Sequence, residues 1–297
     1  MNGQPLITVL TAAYNQATLL PRGHESLRRQ TFKDFEWLVI DDGSTDRTAS
    51  VVSELAAGWS HPPVRYIHKE NGGKHTAVNR GVVAARGSFC AVLDHDDWYA
   101  PQCLDRLQSE WGRIPNPRAF AEVQGLCATP DGKVVGSPFA RDVFDSDYHE
   151  LTYVLGLGGD RIGMHRTEVL REYPFPEQFG DAYIPEAIVW NRIARRYRTR
   201  CINETLAYKE YLDGGLGSQS ASRHVELAGP RLLLVEELLE MPRRLPVGVR
   251  LRAYANLSRY AFHQGRGLRT QAARAPSPAL WALALPLGLA LAARDKL

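Results

Sequence analysis

The sequence is short of the residues that would settle its class at a glance. Among 297 residues there are four cysteines, Cys90, Cys103, Cys127 and Cys201, with no C-x-x-C pair. A disulfide framework and a cysteine zinc site are therefore not expected, and reduced thiols in a cytosol are. Charge of one sign is also lacking. Lys plus Arg number 36 against 33 Asp plus Glu, for a net charge of +3 and a pI near 8.7. So small a basic excess, without a nucleic-acid-binding motif, argues against nucleic acid as a partner. No apolar run reaches the ~20 residues that a spanning helix needs. The most apolar stretch, residues 279–293 (ALWALALPLGLALAA), is interrupted by Pro286 and Gly288. It reads either as a core or docking helix, or as a shallow peripheral anchor on the cytoplasmic face of a membrane. The first residues show no charged stretch followed by an apolar one, so no secretory leader is expected.

What is present is alternation. Strand-like runs at 6–10, 35–40, 64–68 and 89–93 are separated by helical stretches at 18–29, 45–57 and 75–85, and a fourth at 101–113 follows. That order indicates βαβ units: an α/β fold with a mostly parallel central sheet flanked by helices. Such sheets bind ligands beyond the carboxyl ends of their strands. The four stretches after the strands are TAAYN (11–15), DDGS (41–44), NGGKH (71–75) and DHDD (94–97). Each by itself is ordinary turn chemistry. On one sheet edge, the four together describe a site.

The pattern then loosens. Strands are expected at 120–128, 161–165 and 199–208, and a helix at 186–197. A Gly/Ser-rich stretch at 213–222 suits a lid over a bound ligand. Helices at 225–240, with a break at Pro230, and at 247–264 lead into the apolar segment. Two parts follow: residues 1–223, and a helical C-terminal extension, 224–297.

Asp94, Asp96 and Asp97 carry the sharpest signal. Three carboxylates this close repel one another unless a cation sits among them. Oxygen-only ligands suit Mg2+ or Mn2+, which complete their shells with phosphate and water. The other reading is a solvated acidic loop. Gly72 and Gly73 let backbone N–H groups approach a phosphate, and Lys74 adds charge. Tyr14 can flank a base, and Asp41 or Asp42 can accept from a base N–H or a ribose hydroxyl. A nucleoside diphosphate meets all of these in one pose. Trp98, just past the acidic loop, is an acceptor platform or a packed core residue.

The stretches ITVLTAAYN, FEWLVIDDGSTDRT, ENGGKHTAVNRGVVAARGSFCAVLDHDDWY and YIPEAIVWNRIARRY resemble the family 2 glycosyltransferases. The first three cover residues 7–99 in the family's order and approximate spacing. The resemblance implies a GT-A fold over 1–223, with a nucleotide- and metal-binding half at 1–99 and an acceptor-binding half at 100–223. It implies a metal-dependent, inverting glycosyltransferase with a nucleotide-sugar donor, UDP-sugar favoured, and a glycan or lipid-linked acceptor of bacterial envelope or capsular synthesis. The nucleotide-binding set it implies is Ala12, Tyr14, Asp41, Asp42, Gly73, Lys74, Asn79, Asp94 and Asp96. The metal ligands are Asp96 and Asp97, though D-x-D can be read in more than one register.

The family places Glu-Asp before a W-x-R helix, with the Asp as base. Here Pro185-Glu186 stands there, with Trp190 and Arg192 at matching offsets. Glu186 is thus the expected catalytic base, and Trp190 a second acceptor contact. Two rivals remain: a fold relative that binds nucleotide or glycan without turnover, and a sugar nucleotidyltransferase. The second lacks the Gly-rich, basic loop it would need after the first strand.

Overall fold

Ile7–Ala13 is buried at every position, as expected of a strand covered on both faces. The computed structural model describes residues 4–59, 62–210, 223–243 and 245–295. This strand, β1, lies between β2 (Phe35–Asp41) and β4 (Phe89–Val92), and β2 pairs with β3 (Val64–His68). All three pairings are parallel and in step, with Ala13 beside Asp41 and Asp41 beside His68. The following loops therefore do reach one edge together. The connecting helices are α1 (Leu20–Arg28), α2 (Thr48–Ala57) and α3 (Lys74–Ala84).

The parallel run stops at β4. Next come β5 (Asp97–Tyr99), α4 (Cys103–Gly112), β6 (Phe120–Ala128), β7 (Val143–Ser146), β8 (Arg161–Arg166), α5 (Thr167–Glu172), α6 (Ala187–Ala194) and β9 (Arg198–Lys209). The sheet continues β4-β8-β6-β9-β5, with β7 also on β9. β8 runs antiparallel to both neighbours, so the whole sheet is mixed rather than mostly parallel. Alternate residues of the central strands feed two cores. Val9, Trp37 and Met164 lie in one, while Leu10, Leu38, Ile188 and Val189 pack in the other, with α3 and α6 residues.

The last four helices are α7 (Ala228–Leu239), α8 (Val247–His263), α9 (Leu268–Arg274) and α10 (Pro278–Arg294), and they share a third core. Pro230 does not break α7. It sits in the first turn, where its missing N–H has no helical partner to lose. Arg192 of α6 grips Glu237 of α7 with two bonds, of 2.6 and 2.9 Å, tying these helices to the sheet. The apolar segment is helix α10, continuous through Pro286. Trp281, Ala284, Gly288 and Ala292, at spacings of three and four, form the buried face. A Cβ at Gly288 would stand 2.6 Å from the Ala255 carbonyl oxygen of α8, so only glycine permits this close crossing. The docking-helix expectation thus describes one face of α10; the other face is exposed. Among the described residues no helix is long and apolar enough to cross a membrane.

Asp295 closes this bundle. It accepts from the Arg259 guanidinium, with one contact at 2.6 Å, and lies 2.9 Å from His263. Arg259 is only 5% exposed. Its bonds hold the Asp295 carboxyl well below the usual carboxylate range. A depressed carboxyl pKa stabilises the fold above the unfolded value of about 3.9, and that share is lost as pH falls through the folded value. Asp295→Ala leaves the Arg259 charge buried without its carboxylate, at a cost of about 3–5 kcal/mol. Thermal melts at pH 7 should show that drop, and a melt within error of wild type would refute it.

Candidate active site

The residues after β1 and β2 build a rigid lip. Asn15 holds a left-handed backbone, φ 56°, and its side chain accepts from the N–H groups of Thr45 and Asp46 at 2.8 and 3.2 Å. That conformation is uncommon outside glycine, and Asn tolerates it best. Tyr14, before it, is 47% exposed and free to meet a planar ring. Ala12 is buried within β1, in the α3-side core.

Asp41 and Asp42 are almost fully buried. Asp41 accepts from Tyr66 Oη at 2.5 Å and from the Ser44 N–H at 2.8 Å. Burial pushes its carboxyl up, but these bonds outweigh it and the pKa ends lowered. Asp42 accepts from Lys69 Nζ at 2.5 Å and from the N–H groups of Gly72 and Gly73 at 3.1 and 2.8 Å. This differs from the expectation for the glycine loop. Its N–H groups are spent on Asp42, a buried carboxylate that must be satisfied, rather than left to cradle phosphate. Asn79 is a second difference. Its amide holds the Phe175 backbone at both ends, 2.9 Å each, and donates to Glu177 at 2.7 Å. Its polar atoms anchor the 175–177 segment.

Lys74, at the start of α3, is the hub. Its ammonium lies 2.8 Å from Asp94 and 3.4 Å from Glu186. Glu186, just before α6, is 112 residues from Lys74 in the chain and meets it and the Asp94 loop after β4 only through the fold. Burial alone would push Lys74 toward neutrality, but Asp94 and Glu186 outweigh it and keep it protonated. Glu186 remains half-exposed and can be reached from solvent.

Asp94, Asp96 and Asp97 do converge. One carboxylate oxygen from each lies within 4.8 Å of the others. Their repulsion is relieved in part by a residue the sequence did not point to. Lys209, at the end of β9, sits 2.6 Å from Asp97, 3.7 Å from Asp94 and 3.8 Å from Asp160. For Asp94, burial pulls upward, but Lys74 and Lys209 win and hold the carboxyl low. Asp97 goes the other way. Burial, reinforced by Asp94 and Asp96, pushes it up to about 7 despite Lys209. Asp96 has no ion-pair partner among the described residues. The donor set, three carboxylates of which one lacks a counter-ion, fits a hard divalent cation.

A cavity of about 410 Å3 lies beside this cluster, lined by Lys74, Asp94, Asp97, Glu186, Lys209 and Trp190, among others. Within its wall His165 stacks on Trp190, ring centroids 4.9 Å apart, and sits 3.3 Å from Glu122. A cavity lined by acidic, cationic and aromatic groups suits a polar, ring-shaped ligand.

Residues 8–119 match the family described as Glycosyl transferase family 2. The match runs from β1 to just before β6 and covers under half of the chain. Among curated proteins, the chain is similar to EpsH of Bacillus subtilis (strain 168), named as a glycosyltransferase, at 36% identity over 103 residues. That alignment covers 35% of the chain and 29% of EpsH. It is 37% identical over 110 residues to the chondroitin synthase of Escherichia coli, or 36% of the chain and 16% of the synthase. The chain thus spans under a third of the length of these relatives. Among solved structures, S. aureus TarS 1–349 in complex with UDP-GlcNAc superposes with a TM-score of 0.65 at 16% identity, covering 98% of this chain and 82% of that one. The mannosyltransferase PcManGT from Pyrobaculum calidifontis, in complex with GDP-Man and Mn2+, gives 0.59 at 19% identity, covering 99% and 83%. The fold is the mixed-sheet GT-A fold of these glycosyltransferases.

The two expected acceptor residues, Trp98 and Trp190, separate. Trp190 lines the cavity. Trp98 instead lies on β5, between the Arg22 guanidinium, 4.3 Å from its ring, and Tyr208, 5.7 Å away. Arg22 also donates to the Asp96 carbonyl oxygen, which anchors the acidic loop. The suggested lid, 213–222, lies outside the described residues. Lys69, Lys209 and Glu122 escaped sequence reasoning, because nothing local marks a residue whose partner sits on another strand.

Proposed function

We propose that this chain is a metal-dependent, inverting glycosyltransferase. It moves a sugar from a nucleotide diphosphate, UDP-sugar favoured, to a hydroxyl of a glycan or lipid-linked acceptor, on the cytoplasmic side, in envelope or capsular polysaccharide synthesis. The observation that carries this reading is the Lys74 ammonium between Asp94 and Glu186 at the cavity. It supports a base role for Glu186, whose carboxylate shares a cation with the acidic cluster. The chondroitin synthase among the relatives supports a polysaccharide product. The complexes of TarS with UDP-GlcNAc and of PcManGT with GDP-Man and Mn2+ support a nucleotide-sugar donor and a metal.

Glu186 accepts the proton of the acceptor hydroxyl as its oxygen attacks the sugar C1. The C1–oxygen bond to the diphosphate breaks on the opposite face, so the anomeric configuration inverts. Asp42 and Tyr14 stand at the edge that would hold the base. Lys74 and Lys209 provide fixed positive charge near the departing diphosphate. Asp96 and Asp97, with Asp94, would hold a divalent cation, which when bound stabilises negative charge on the leaving group.

The test is calorimetry with UDP-, GDP-, CMP- and dTDP-sugars, in Mn2+ and in EDTA, followed by NMR of the anomeric proton of the product. One nucleotide class should bind in a metal-dependent way, and the product anomer should be inverted. No binding by the folded protein, or retention of configuration, would overturn the reading.

A further inference from the structure

One face of α10 remains unexplained by the bundle. Leu283, Leu287 and Leu289 are 67%, 54% and 46% exposed. Ala282, Pro286, Ala290 and Ala293 beside them are exposed too. This helix is apolar all round, a composition that normally means burial on every side. The core face is covered by α8; the outer face is open. Leu268, which opens α9, is a further exposed leucine, at 48%.

The charges along this stretch of chain have one sign. Residues 246–294 carry seven arginines and no Asp or Glu. Arg259 and Arg266 are committed to Asp295 and Glu236. Arg252, Arg269, Arg274 and Arg294 are exposed and have no ion-pair partner among the described residues. Arg294 follows Leu283 and Leu287 by eleven and seven residues, which sets all three on one stripe of the helix. Arg269 and Arg274 lie on α9, which leads directly into α10.

We infer that the outer face of α10, with the arginines of α9 and α10, is a docking surface for an anionic lipid bilayer. The helix lies in the interface plane: its leucines enter the acyl boundary and the arginines meet lipid phosphates. A span is ruled out by length and hydropathy, as every described helix is. A second copy fits less well, since two such faces would bring unpaired arginines together with no carboxylate to meet them. The inference does not depend on the transferase reading, and neither does its test.

The test is co-sedimentation of the full chain with phosphatidylglycerol or phosphatidylcholine vesicles, at low and high NaCl. Binding to the anionic vesicles only, weakened by salt, is expected. Each leucine moved into apolar surroundings is worth a factor of about ten to a hundred. Leu283→Asp with Leu287→Asp should therefore lower binding about a hundredfold or more. Both sites are exposed, so the melting temperature should hold, which separates lost docking from lost folding. Arg269→Glu with Arg274→Glu should remove the preference for anionic lipid. Absence of vesicle binding, equal binding to both lipids, or binding indifferent to the leucine changes would overturn the inference. So would a concentration-dependent dimer in size-exclusion chromatography that the leucine changes abolish.

Discussion

Replacing Glu186 by Gln should lower kcat by about 10^2–10^4 while leaving donor affinity in place. The exchange keeps the side chain's length and an oxygen that can accept from Lys74, while removing its negative charge and its capacity to take a proton. Because the group acts on the acceptor, the loss should appear in transfer, with the donor Kd by calorimetry unchanged. Asp at this position has a shorter reach and should recover part of the rate. An unchanged kcat for Glu186→Gln would reassign the base. Donor binding by wild type with neither transfer nor hydrolysis would favour a relative that binds without turnover. The geometry makes the prediction specific. Glu186 is half-exposed and lines the cavity, and the ammonium beside it lies 3.4 Å away.

A second large effect is expected at Asp96. Asp94 is held ionised by Lys74 and Lys209, and Asp97 shares Lys209. Asp96 is the member of the cluster with no cation of its own, so a metal has most to gain there. Asp96→Ala should lower Mn2+- or Mg2+-supported turnover by about 10^2–10^3, the scale for removing one preorganised charge-stabilising contact. In EDTA the variant and wild type should then be equal. If Asp96→Ala retains its metal response, the cluster is not the metal site. A pH dependence follows. The Asp97 carboxyl, pushed up to about 7 by burial and its acidic neighbours, must lose its proton to solvent to ligate a cation. Metal affinity should therefore weaken as pH falls below 7, by about tenfold per unit. Mn2+ titrations between pH 6 and 8 read this directly, and a flat profile would contradict it.

Much of this site was legible before any coordinates, for a local reason. In a parallel βαβ sheet, the residue just after each strand reaches the same edge whatever else the chain does. Tyr14, Asp42 and Asp94 are of that kind, and Lys74 opens the helix after β3. β3 and β6 also begin and end where composition put them, at Val64–His68 and Phe120–Ala128. What was not legible involves distant pairing. β5 is three residues long and exists because it pairs with β9. That pairing sets Asp97 beside Lys209 and turns part of an acidic loop into a strand.

The sequence by itself determined the α/β order, the acidic loop after the fourth strand and the apolar character of the final helix. Each rests on periodicity or on neighbours in the chain, which backbone geometry translates directly into placement. Only the tertiary structure decided how the carboxylates are neutralised, where Glu186 stands and which face of α10 is covered. Lys74, Lys209 and Asp42 each choose a partner by distance and by loss of water. Those quantities depend on strands folding beside one another, with nothing in the local sequence to record them.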